Sequence, residues 1–324
     1  PLQRLGGRYF RTTRSSHLLA LSLGADEGYR AMVPAAGSKK RSNPEDNEAP
    51  DDSSPSPPLA GNAKAGGEPP VKAKKRSEDD TGPITIEGAM PQKRFYRARA
   101  HVNPLSHNDC YEYPKTPKEM DWSVHFPNRP GLKVSIVDVG CGFGGLTVAL
   151  SPLFPDKGVL GMEIRVKVCE FVRLRVEALR RENPGQYQNV SSLRTNSMLL
   201  LPHFLERHQL EKMFFCFPDP HFKAKNHRRR IISVPLLTEY AFYLRPGGLL
   251  YMITDVEELH QWHVEKADAH PCFEAVPREE AEKDPAVKAM TEVTEEGKKV
   301  ARMGGDKYWA VFRRVDEDVP YTIF

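Results

Sequence analysis

The sequence predicts an α/β domain, an open and mainly parallel sheet covered by helices on both faces, and three observations predict it. From Lys133 onward, short β-branched apolar runs alternate with amphipathic segments of helical period, as repeated strand and helix units do. The first run, VSIVDV, stops at the glycines of GCGFGG and gives way to an amphipathic stretch, Leu146 to Leu153, which reads as strand, tight turn and helix. Gly140, Glu163, Asn196, Phe217 to Asp219 and Asp255 all fall at the carboxyl ends of expected strands, where open sheets bind ligands.

The chain divides into a tail over 1–90, an arm and connector over 91–130, the α/β domain over 131–315 and a short tail over 316–324. With 28 prolines among 324 residues and a mean hydropathy of −0.55, part of the chain is expected not to pack. That part is the tail, where residues 35–87 are Pro, Ser, Gly, Ala and charge with almost nothing to bury. Residues 1–25 carry Arg4, Arg8, Arg11 and Arg14 with serines and no acid, a composition like a mitochondrial transit peptide or simply an optional extension before Met32. The clusters SKKR at 38–41 and KAKKR at 72–76 read as nuclear-import signals, nucleic-acid contacts or solvated charge. The expected location is the nucleus, with the mitochondrion the alternative if residues 1–25 are a transit peptide. Five cysteines form no C-x-x-C pair, which argues for a reducing compartment and against a structural metal. No apolar run reaches the ~18 residues that would span a bilayer.

The arm, 92–105, interleaves Lys93, Arg94, Arg97 and Arg99 with Phe95 and Tyr96, suiting either phosphate contact or plain docking on the domain. Prolines 104, 114, 117, 127 and 130 keep the connector irregular. Strands are then expected near 134–139, 158–163, 190–195, 212–217 and 249–254. Helices are expected near 145–153, 165–181, 198–207, 232–244 and 257–267, with Pro246-Gly247-Gly248 ending the fourth.

The glycine turn predicts a small-molecule cradle, because a helix starting near Gly144 is expected to aim unpaired N–H groups at a ligand. Gly140, Gly142 and Gly145 also satisfy G-x-G-x-x-G, and Glu163 follows 23 residues after Gly140, close to the ~20-residue offset of a ribose-binding acid. Nicotinamide and other nucleotide cofactors both fit. After the fourth strand, PDPHFKAKNHRRR places Asp219 beside five cations, Lys223, Lys225, Arg228, Arg229 and Arg230, and near the rings of Phe217, His221 and Phe222. That combination suits a polyanion whose bases stack.

VDVGCGFGG, GMEIRVKV, RTNSM, FFCFPDPHFK, KNHRRR and TEEGKK, in this order, resemble the tRNA (guanine-N7-)-methyltransferases in their eukaryotic catalytic-subunit form, over about residues 91–314. The resemblance implies a Rossmann-like seven-stranded class I methyltransferase sheet whose last strand is antiparallel, a strand that YWAVFRRV at 308–315 supplies. It implies S-adenosylmethionine as cofactor and tRNA as substrate, the variable-loop guanine being methylated, with a WD-repeat propeller as partner subunit. Carried over, Gly140 contacts the methionine part, Glu163 and Ile164 the ribose, Asn196 and Ser197 the adenine region, and Cys216 the pocket wall. Asp219 becomes the active-site residue, and Thr294, Glu295 and Glu296 a late cofactor-binding block. Residue by residue, Asn196 also suits a helix cap, Thr294 a helix start and Cys216 a core position. The competing readings are an NAD-dependent dehydrogenase, which leaves the basic segment without a use, and a noncatalytic RNA-binding module of the same fold.

Overall fold

The computed structural model describes residues 89–99, 102–106 and 110–315. The expectations for residues 1–88, among them the transit-like composition and both basic clusters, and for the tail 316–324 lie outside the described residues.

β1 (Val134–Val139) lies in the middle of a seven-stranded sheet, flanked in parallel by β2 (Gly158–Glu163) and β4 (Leu210–Cys216). β3 (Val190–Arg194) adds outside β2, and β5 (Leu244–Thr254) outside β4. β7 (Tyr308–Arg314) then runs antiparallel to β5 and to the short β6 (Phe273–Ala275), so the order is β3-β2-β1-β4-β5-β7-β6. The reversed last strand is therefore present where YWAVFRRV was expected to supply it. Winding outward from β1 in both directions makes a switch point between β1 and β4, and the ligand crevice of such a sheet opens there.

The strands are apolar along their length because both faces are covered. Along β4, Met213 and Phe215 enter one core with Leu236, Leu237 and Tyr240 of α4 (Val234–Tyr243) and Ala267 of α5 (Glu257–Asp268). Phe214, between them, enters the other core with Leu146 and Leu150 of α1 (Gly145–Leu153), Phe171 and Val172 of α2 (Val166–Glu182), and Met290 of α7 (Pro285–Glu292). This is the period-2 alternation of a strand read out as two layers. The arm is pinned to the second layer: its 3₁₀ turn Lys93–Tyr96 buries Tyr96, whose ring meets Phe171 edge-on at 5.6 Å.

Two expectations are corrected. In place of one helix near 198–207 stand four residues of α3 (Ser197–Leu200) and a 3₁₀ turn, Leu201–His203, because Pro202 lacks the N–H that would continue the ladder to Met198. Pro246-Gly247-Gly248 does not end α4, which already stops at Tyr243. Those residues bulge out of β5, whose pairing with β4 jumps from Leu210↔Leu244 to Lys212↔Leu249. Between β6 and β7 the chain adds α6 (Arg278–Ala281), α7 and α8 (Glu295–Arg302). The amino end of α8 reaches the glycine turn.

Candidate active site

The turn after β1 is held by its own protein. Gly140 N and Cys141 N donate to the carbonyl of Met162 at 2.8 and 3.0 Å, and Gly144 N to that of Cys141 at 2.9 Å. Gly142 N donates to Glu163 Oε2 at 3.0 Å, and Gly145 N, the first amide of α1, to Glu295 Oε2 at 3.1 Å. The expected free amides are thus already capped by carboxylates, as a helix amino end favours. Gly144 is a glycine because its φ is +75° and a Cβ there would lie 2.8 Å from Val172. Gly140, at φ +73°, has nothing within 4 Å of its would-be Cβ and faces open space.

Glu163 is 2 % exposed, and its carboxylate accepts from Gly142 N, Arg165 N, Arg165 Nε and Arg165 Nη2, all at 2.9–3.0 Å. Two oxygens offer about four lone-pair positions, and these four donors take them up. Arg165 went unnoticed in the sequence. Asp138 did too, although an acid inside VSIVDV was the signal. Thr147 Oγ1 donates to its Oδ2 at 2.7 Å, and Oδ1 is buried with no hydrogen-bond partner. Burial, more than any other cause, lifts its pKa to about 7.

The site residues meet around connected cavities. One of about 200 Å³ is lined by Gly140, Glu163, Ile164, Asn196, Ser197, Cys216 and Asp219. A second, about 420 Å³, shares Gly140, Cys216 and Asp219 with it and adds Asp138, Thr294, Glu295 and Glu296. A third, about 410 Å³, keeps Asp219 and adds His221, Phe222 and Arg229 together with Arg99 and Asn103 of the arm. Several of these side chains also build the fold. Asn196 Oδ1 caps α3 at Met198 N and its Nδ2 donates to Pro104 O at 2.6 Å, which ties the arm to the crevice. Thr294 caps α8 at Gly297 N, and Glu295 pairs with Lys93 and Arg175. The thiols of Cys141 and Cys216 are pushed well up by burial and stay protonated, so neither is a nucleophile at neutral pH.

Beyond β4 the backbone takes left-handed conformations at Phe217 (φ 50°) and His221 (φ 46°), on both sides of Asp219. The ring of Phe217 packs partly against the core and α8 and also lines two of the cavities beside Asp219, whereas Phe222 is 65 % exposed. Lys223, Lys225 and Arg228 are exposed on the loop and its 3₁₀ turn, Ala224–Arg229. Arg229 is half-buried and turned into the crevice, its Nε without a partner among the described residues. Arg230 corrects the fivefold phosphate expectation. It is 1 % exposed, donates to Pro220 O and Glu258 Oε1, and lies over Trp262, so it cannot reach a phosphate.

Comparison with known proteins agrees with this geometry. A family model described as a putative methyltransferase matches residues 132–310. A protein of Schizosaccharomyces pombe is 53 % identical over 239 residues, covering 71 % of this chain and 87 % of its own. One from Oryza sativa subsp. japonica is 52 % identical, covering 72 % and 95 %, and one from Bombyx mori 51 % identical, covering 70 % and 97 %. All three are described as tRNA (guanine-N(7)-)-methyltransferases. The dehydrogenase reading, which the glycine turn by itself allowed, falls away. With a methyltransferase family model matching residues 132–310 and relatives more than half identical over most of their own length, the chain belongs to the tRNA (guanine-N(7)-)-methyltransferase family and is an S-adenosylmethionine-dependent enzyme.

Proposed function

We propose that the chain methylates N7 of a guanosine in the variable loop of tRNA, as the catalytic subunit beside a WD-repeat propeller, in the nucleus. The observation that carries the reading is the position of Asp219, which lines the two cavities at the strand ends and the cavity shared by the arm and the basic loop. The residues fit S-adenosylmethionine. Gly140 leaves room for close approach, Glu163 lines the same cavity and can take a ribose hydroxyl in exchange for Arg165, and the orphaned Oδ1 of Asp138 suits an ammonium group such as that of a methionine moiety. Asn196, Ser197 and Ile164 wall an adenine site, and Cys216, Thr294, Glu295 and Glu296 close the rest.

When bound, the cofactor supplies an electrophilic methyl group on a sulfonium. Guanine N7 presents an unprotonated in-plane lone pair at neutral pH, so the bond to carbon forms as the carbon–sulfur bond breaks, and no proton has to leave. The protein's task is alignment. In an A-form helix the N7 edge lies in a deep, narrow groove, so the base is turned out, to stack near Phe217, His221 or Phe222. Asp219 accepts hydrogen bonds from the ring N–H and exocyclic amine of guanine, a donor pair that adenine does not offer, worth ~1–3 kcal/mol of discrimination. As positive charge passes into the ring, the same carboxylate stabilises the product side. Lys223, Lys225 and Arg228 hold phosphates and so set affinity more than base choice. The propeller partner and the variable-loop position rest on the family resemblance. Incubating the full chain with tRNA and labelled S-adenosylmethionine, with and without a propeller subunit, and mapping the modified base tests all of this. Label outside the variable loop, or undiminished activity without the propeller, refutes the corresponding part.

A further inference from the structure

The last cation of KAKNHRRR is buried in a place where its charge has a different use. Arg230 is among the largest fully buried side chains of the described residues, at 1 % exposure. Its Nε donates to Pro220 O at 2.9 Å, its Nη2 to Glu258 Oε1 at 2.8 Å, and its guanidinium lies 4.7 Å from the ring centroid of Trp262. Trp262 is itself fixed by a 2.7 Å bond from Nε1 to Ile232 O, and His227 meets its ring edge-on at 5.2 Å. The planar fork of an arginine serves this three-way contact, and a lysine does not reproduce it.

Pro220 follows Asp219 directly, so the bond to its carbonyl fixes the segment that carries the carboxylate. That segment needs fixing. Phe217 and His221 both sit in the left-handed region without being glycine, a conformation that persists only where the surroundings over-determine it. On one side the tie is Phe217 N to Ile253 O, 2.8 Å. On the other it is Arg230. The same bond closes the chain from 220 to 230 into a loop from which Lys223, Lys225 and Arg228 project.

We propose that Arg230, braced by Glu258 and Trp262, is a positioning residue for methyl transfer: it staples the base of the basic loop and holds Asp219 against the cofactor crevice. The proposal rests on the reading of Asp219 as the residue that receives guanine. Tight binding of tRNA to the exposed cations is then transmitted to the carboxylate through a closed loop instead of being lost in its flexing.

The test uses the full chain under conditions in which it methylates tRNA, with active sites counted by calorimetric titration with S-adenosylhomocysteine. Single-turnover rates are taken per counted site at saturating tRNA, so a partly unfolded preparation does not lower them. Arg230→Lys is expected to be ~10²-fold slower, the size of a misplacement of about 1 Å, and Glu258→Gln about tenfold slower. The double variant should be no slower than Arg230→Lys, because the two side chains act as one unit. Cofactor affinity should stay within about twofold and the salt dependence of tRNA binding should not change. A normal rate per site in Arg230→Lys sinks the proposal, as does a salt slope lower by about one, the mark of a lost phosphate contact. If Arg230→Lys does not fold, Glu258→Gln decides, since Glu258 is 58 % exposed and its replacement leaves the core intact. Asp219→Ala runs alongside. A full rate there refutes the assignment of Asp219 itself, whereas a slow Asp219→Ala beside a normal Arg230→Lys refutes the staple alone.

Discussion

The two walls of the crevice are built differently. On the side proposed for the cofactor, Asp138, Glu163, Asn196 and Ser197 sit at the ends of β1, β2 and β3, all buried, with hydrogen bonds divided between backbone and side-chain partners. On the substrate side, Asp219 and the cations stand on a loop beyond β4 that has left-handed residues at its start and exposed lysines at its tip. Strand ends give a small ligand a preformed site, while a loop lets a large polyanion reach the same atoms. The walls should therefore fail independently, and mutations can show whether they do.

The largest effect is expected at Asp219. Its replacement by alanine should slow single-turnover methylation ~10²-fold or more, and Asp219→Asn should lose mainly turnover, both with cofactor affinity nearly unchanged by calorimetry. Loss of cofactor binding in both would mean that the two walls are one. Next comes Glu163→Ala, which removes the carboxylate proposed to meet the ribose and should cost ~1.5–3 kcal/mol of cofactor affinity. Affinity equal to that of the parent chain would put the nucleoside elsewhere. Replacing Lys223, Lys225 and Arg228 by alanine should weaken tRNA binding and reduce its salt slope by about 0.9 per lost phosphate contact, while cofactor binding holds. An unchanged slope would leave those side chains as a solvated face.

The last effect, on stability and not on methylation, concerns the support behind the loop. His263 is buried, both ring nitrogens lack a partner among the described residues, and burial first, then His260 and Arg230, lowers its pKa from 6.5 to about 3. The unfolded chain therefore takes up a proton below pH 6.5 that the folded chain refuses. Stability is complete above that pH and falls as pH drops towards 3, by about 1 kcal/mol per pH unit. Denaturant unfolding of the parent chain and of His263→Phe compares the two. Equal acid sensitivity would show that this ring is not responsible.

Much of this was legible in the residues because the relevant constraints are local. Apolar runs of strand length, glycines where a turn needs them and an acid at the next strand end mark β1, the turn and Glu163. Three features were not legible, since each depends on residues far apart in sequence. Glu295 caps α1 from 150 residues away. Asp138 reads as an oddity inside a strand until Thr147 and the cavity surround it. Arg230 is indistinguishable from Arg228 in a run of like charges, and only Trp262 and Glu258, brought over by α5, decide which of them is buried.

The sequence by itself determined the order of strands and helices from β1 to α5 and the residue types at the crevice, because periodicity, turn chemistry and charge are properties of short segments. The tertiary structure alone decided which polar groups are spent inside the protein and which remain for ligands. Most amides, carboxylates and guanidinium groups take whichever partner packing brings near, and a buried group without one is costly, so the glycine turn bonds to Glu163 and Glu295, and one of the five cations, Arg230, holds the loop from which the exposed ones project.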